Sequence, residues 1–273
     1  MKIKLIRANV YLIAFLIGVV SFTARAQKQP KIQKGSVRAP ADIKIDGAIK
    51  EWPYNLQAFN SSSRVYYTVS NDDTNLYLAL RSTGLSAGLK ILEGGLTFTV
   101  KTKGNNVSVT YPTGKDRRQT QIIVDISYRY DDVSNDTIGN RKIIDSVQLA
   151  VNSRIDALFN DIKVTGINNI PATIPLNNTY GIQAKAQYNN RVQYIYELAV
   201  PLKYLGLSVD NPEKFKYNVI LNPVWSQAVV TANKLPAPVV VQDVVFNPNS
   251  PSNIEYLYNN SPTNMSGDYT LVK

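Results

Sequence analysis

Apolar side chains recur at every second position along several short runs, and this period limits the fold more than any other feature of the chain. Val65, Tyr67 and Val69 alternate with Tyr66 and Thr68. Leu76, Leu78 and Leu80 alternate with Tyr77, Ala79 and Arg81. Successive side chains of a strand point to opposite faces, so each run reads as a half-buried strand. Between them, residues 70–75 (Ser-Asn-Asp-Asp-Thr-Asn) are turn formers of hairpin length. Leu96, Phe98 and Val100 face Val107, Val109 and Tyr111 across Lys103-Gly104-Asn105-Asn106, a second tight-turn signal. Ile122, Val124, Ile126, Tyr128 and Tyr130 form the longest alternating run. Later strands are expected over 182–188, 192–200, 217–224 and 239–246, with Asn189-Asn190 closing the hairpin between the first two. Residues 202–205, after Pro201, suit one helical turn.

One segment departs from this pattern. In 141–162 the apolar residues fall at 143, 147, 151, 155, 158 and 162, the spacing of a helix face. The stretch is also rich in Ile and Val, which favour strands. The balance tips to strand and loop with at most a short helix. Many short strands, close turns and no strand–helix alternation together predict an all-β protein, an antiparallel β-sandwich of jelly-roll or immunoglobulin-like kind. Residues 27–40 read as a flexible leader. Residues 41–273 read as a single domain with a middle insertion at about 115–190.

Composition narrows the chemistry. Lys2, Lys4 and Arg7 precede an apolar run over 10–22, and Ala24-Arg25-Ala26 presents small residues where a signal peptidase reads them. Residues 1–26 are therefore expected to be a cleaved signal peptide, and the remainder periplasmic or secreted. The apolar run is short for a membrane span, and no transmembrane segment is expected after cleavage. The chain has no Cys, so the expectation is free export rather than a lipoprotein, with no disulfide or thiolate site. It also has no His, which removes the commonest general base and zinc ligand. Removing the four basic residues of the signal peptide takes the formal charge from +10 to +6. The remaining basic residues are scattered apart from Lys115, Arg117 and Arg118, so no nucleic-acid partner is expected.

The stretch Ile43-Lys44-Ile45-Asp46-Gly47-Ala48-Ile49-Lys50-Glu51-Trp52, followed by Val65–Val69 and then by Asn71-Asp72-Asp73-Thr74-Asn75-Leu76-Tyr77-Leu78-Ala79-Leu80, is the most specific pattern present. It resembles the opening of the family 9 carbohydrate-binding modules and their DOMON-like relatives. Downstream, Tyr196-Glu197-Leu198-Ala199-Val200-Pro201-Leu202 resembles the same family's late strand and turn. Residues 115–190 have no counterpart. The resemblance implies an antiparallel sandwich and, for many relatives, sugar binding without catalysis. Sugar-binding relatives clamp a sugar end between two tryptophans. Here Trp52 falls in the structural motif and Trp225 alone remains, so a clamp would need a tyrosine. A DOMON-like haem would find no His, and Met265 is the only methionine beyond the leader.

Sugars stack on flat aromatic faces while polar side chains fix their hydroxyls. Trp225 with Gln227 beside it, together with Tyr66 and Tyr77 on a shared outer surface, are the candidate ligand-binding residues. Trp52 is expected to plug an end of the sandwich with its N–H on a carbonyl, and Glu197 to face outward or pair locally. Asp131, Asp132 and Asp136 form the densest acidic cluster, a candidate calcium loop that lacks the spacing of an EF-hand; no other cofactor is expected. The ligand expected is a polysaccharide or glycan. The alternatives are an envelope protein that binds another envelope protein on the same scaffold, and a carboxylate-based glycoside hydrolase.

Overall fold

The computed structural model describes residues 29–53, 55–113, 117–134, 141–224 and 251–273. The elements run β1 (Ala58–Asn60), β2 (Val65–Asn71), β3 (Asn75–Ser82), α1 (Leu85–Gly94), β4 (Leu96–Lys101), β5 (Asn106–Tyr111), α2 (Arg117–Ser134), α3 (Arg141–Leu158), β6 (Asp161–Thr165), β7 (Thr173–Pro175), β8 (Gln183–Tyr188), β9 (Tyr194–Pro201), α4 (Leu202–Leu205), β10 (Lys214–Leu221), α5 (Pro251–Asn260) and β11 (Thr263–Thr270). They build two antiparallel sheets, one ordered β1-β2-β3-β9-β8 and the other β11-β10-β4-β5-β6-β7. The fold is a β-sandwich, as the alternation predicts. Among the described residues no helix is long and apolar enough to cross a membrane.

The two inner faces share one apolar core. Val65, Tyr67 and Val69 of β2, Leu76, Leu78 and Leu80 of β3, and Tyr196 and Leu198 of β9 meet Phe98, Val109, Tyr217 and Val219 of the other sheet. Tyrosines span the layer. The Tyr67 and Tyr217 hydroxyls lie 3.2 Å apart, and the Tyr111 and Tyr196 rings are 6.3 Å apart. Both hairpins expected at 70–75 and 103–106 form, as does the β8–β9 hairpin. The single helical turn after Pro201 is α4.

Three expectations are corrected. The alternating run 122–130 lies in helix α2, not in a strand. Among its described side chains the buried ones are Thr120, Ile123 and Ser127, a helical spacing, whereas Ile122 of the alternating set is 52% exposed. Ser127 also donates its hydroxyl to the Ile123 carbonyl one turn back, which hides that polar group inside the helix. The stretch 141–162 contains the 18-residue helix α3. Val151 and Ile155 of α3, and Phe159 just after it, are fully buried at four-residue spacing. Apolar period thus outweighs the strand preference of Ile and Val. Helix α1, which the alternation does not reveal, carries the chain from one sheet to the other. Gly88 is needed there, because a Cβ at that position would lie 2.9 Å from Tyr194 Cβ.

The third correction concerns the leader. Strand β1 is only three residues long, so the far half of β2 lacks a strand on that side. Residues 29–40 supply the missing partners. The Gln33 side chain accepts from Val69 N–H (2.8 Å) and donates to the Val69 carbonyl (2.8 Å), as a neighbouring strand would. Further along, Ala39 N–H donates to Asn71 O (2.8 Å) and Asn71 N–H to Val37 O (3.3 Å). Backbone groups of a buried strand need partners, and this segment provides them.

Candidate functional site

The outer face of the five-stranded sheet is apolar and covered. Tyr77, Ala79 and Ala199 point outward there and pack against Ala39, Trp52 and Leu56, with Ile43, Ile45, Ile49 and Tyr66 around them. The segment 39–53, with Leu56 beyond it, lies across the sheet as a flap. Glu197, at the middle of β9 and fully buried, pins it. Its Oε2 accepts from the backbone N–H of Gly47 (2.8 Å) and Asp46 (3.2 Å), and its Oε1 accepts from the Trp52 indole N–H (2.9 Å). Gly47 sits at φ +82°, a left-handed position that suits Gly. Burial pushes the Glu197 carboxyl above the usual carboxylate range, and the donors from Trp52 and Gly47 pull against that shift. Glu197 therefore faces outward as the alternation requires, but under the flap instead of in water. Trp52 pairs with this carboxylate and not with a carbonyl. Its place is on the sheet face and not at the end of the sandwich.

These three hydrogen bonds join the two stretches that carry the sequence resemblance, although about 150 residues separate them in the chain. The motif is thus a lock. Its Asp-Gly turn and its tryptophan supply donors, and the distant strand supplies the acceptor.

Between the flap and residues 37–40 the surface opens into a cleft of about 530 Å³ lined by Val37, Arg38, Pro40, Glu51, Trp52, Pro53, Gln57 and Thr68. A cleft of this size falls in the range that takes a small organic ligand. Its walls combine two prolines and the largely buried Trp52 with a carboxylate, an amide and a hydroxyl. Thr68 Oγ1 accepts from Gln57 N–H (2.9 Å), which leaves its own hydroxyl proton to donate. Arg38 is committed elsewhere. Its Nη1 contacts Asp73 Oδ1 (2.9 Å) and the Val272 carbonyl (3.0 Å), and Asp73 raises the guanidinium pKa. Glu51 Oε2 is shut off from solvent with no hydrogen-bond partner.

The residues expected from sequence fall unevenly. Tyr66 and Tyr77 do share the outer face. Tyr66 is half-buried with its ring 4.6 Å from that of Phe59. Tyr77 is buried beneath the flap and donates its hydroxyl to Asp72 Oδ2 (2.6 Å), so it is no open platform. Trp225, Gln227 and Asp136 lie outside the described residues, as does the strand expected over 239–246. Asp131 and Asp132 belong to helix α2, so the acidic stretch is not a loop over that part, and their side chains are not among those described. Among the described residues no group of three or more acidic side chains could hold a metal. Arg38, Glu51, Gln57 and Thr68 were not singled out by sequence. Only the adjacency of Glu51 to Trp52 offered a signal, a carboxylate beside a ring.

Neither the known protein-family models nor the curated proteins contain a match to this chain.

Proposed function

We propose that the protein is an exported, non-catalytic carbohydrate-binding protein whose ligand occupies the cleft beside Trp52. The observation that carries this reading is the composition of that cleft, in which apolar surface of Val37, Pro40 and Pro53, beside the largely buried Trp52, stands next to Glu51, Gln57 and Thr68. Carbohydrates need that combination, because their C–H faces stack on apolar surface while their hydroxyls demand both donors and acceptors. The likeness of the lock residues to the family 9 modules agrees with it. In this reading Glu51 of the cleft lining acts as a binding group rather than as one of the carboxylate pair that glycoside hydrolysis uses. Glu197 is held by three N–H donors. The signal-like N-terminus supports a periplasmic or secreted location.

A second reading, an envelope protein that binds another protein, draws on the helical insertion. There Ile122, Ile143 and Leu149 are exposed, the last at 70%. A glycan array probed with the full chain separates the two. Saturable binding to a defined glycan class, with no turnover of chromogenic glycosides, is the expected outcome. An array without signal, with a partner captured on α2 and α3 and lost in Leu149→Asp, would favour the second reading. Trp225→Ala on the same array reports whether a platform at that residue contributes.

A further inference from the structure

Glu51 is the polar group of the cleft whose hydrogen bonding is left incomplete, since its Oε2 is buried without a partner. Taking a carboxylate oxygen out of water with nothing in exchange costs about 1–3 kcal/mol, and a donor brought by a ligand would recover that. The terminal torsion of a glutamate is broad and soft, so the carboxylate of this lining residue is free to reorient toward a donor held in the cleft. A carboxylate is acceptor-only, and the one cation in the lining, Arg38, is already matched by Asp73 and the Val272 carbonyl. The cleft therefore offers an unmatched negative charge and no free positive one among its described lining residues.

Resting on the carbohydrate reading above, we propose that Glu51 is the specificity-determining residue of the cleft, selecting neutral or amino-bearing sugars that donate hydrogen bonds and excluding acidic sugars. A sugar hydroxyl or ammonium donates to Glu51, whereas a uronate carboxylate placed there meets a like charge in a partly desolvated site, where screening is weak. Pro40 and Pro53 offer the ring its apolar surface, and Gln57 and Thr68 complete the hydroxyl contacts.

The test is calorimetry of the full chain with three probes: neutral gluco-oligosaccharides, glucosamine oligosaccharides and galacturonate oligosaccharides. Binding of a neutral or amino probe at least about tenfold tighter than the uronate probe is expected, with the gap shrinking to about threefold or less in Glu51→Gln. Melting temperatures check that the variant is folded, and the wild-type ranking stands by itself if it is not. The inference is overturned, with the carbohydrate reading intact, if the wild type prefers uronates, or if Glu51→Gln keeps the full preference while Gln57→Ala lowers affinity. If no probe and no glycan on the array binds the wild type, the carbohydrate reading fails and this inference with it.

Discussion

Three N–H donors converge on Glu197, from Asp46, Gly47 and Trp52, and a carboxylate has lone pairs for all of them. A glutamine amide has one oxygen and turns an NH₂ toward the remaining donors. Glu197→Gln is therefore expected to destabilise the fold by about 1–3 kcal/mol, seen as a lower urea midpoint at unchanged slope. The pH dependence has a definite sign. Burial raises the folded carboxyl above its unfolded value, so the fold holds this proton more tightly than the unfolded chain does. The contribution of Glu197 to stability is complete below the unfolded pKa and declines as pH rises toward the folded one. The gap between wild type and Glu197→Gln should thus narrow as pH rises through that acidic window. Urea titrations at several pH values check both statements, and a gap that widens with pH would contradict the second.

Helix α3 shows how a helix outside the two sheets serves the sandwich. Strand β8 is an edge of its sheet, and Asn152 on α3 covers its end. The Asn152 side chain accepts from Tyr188 N–H (2.8 Å) and donates to Tyr188 O (2.9 Å), while Gln148 donates to the same carbonyl. An edge strand left bare invites pairing with another chain. Asn152→Ala is expected to cost about 1–3 kcal/mol and to speed amide hydrogen exchange in β8 ahead of β3, as mass spectrometry of the peptides would show. The strands were legible in sequence because one face is wet or lightly covered and the other is core, which makes alternation visible. Helix α2 was not, because two of its three fully described buried residues are Thr120 and Ser127, whose hydroxyls break the apolar stripe. Helix α3 had the stripe, but its Ile and Val content spoke for strand. The cleft was the least legible part. Nothing in the local sequence of Arg38 or Gln57 marks a site, and only the shortness of β1 brings residues 37–39 alongside β2 and the flap.

Across the whole molecule, tyrosine fills the interior. Burial raises the pKa of Tyr77, Tyr111, Tyr194, Tyr196, Tyr217, Tyr258 and Tyr269, the last to about 12. Each keeps its proton in the fold at a pH where the unfolded chain, with tyrosines near about pH 10, has lost it. Their contribution is complete below that value and falls as pH rises above it. Alkaline unfolding should therefore begin above about pH 10, with these buried tyrosines ionising only as circular dichroism is lost. Ionisation of this buried set ahead of unfolding would contradict their burial in the fold. The sandwich carries the flap and the cleft on the outer face of its five-stranded sheet, so the proposed ligand site stands on a packed scaffold. The most direct test of that proposal is a calorimetric titration of the full chain and of Gln57→Ala with the best glycan from the array. Saturable one-to-one binding by the wild type, weakened about tenfold or more in Gln57→Ala while the melting temperature holds, is the outcome predicted. Equal affinity in the two proteins, or no binding heat in either, would contradict it.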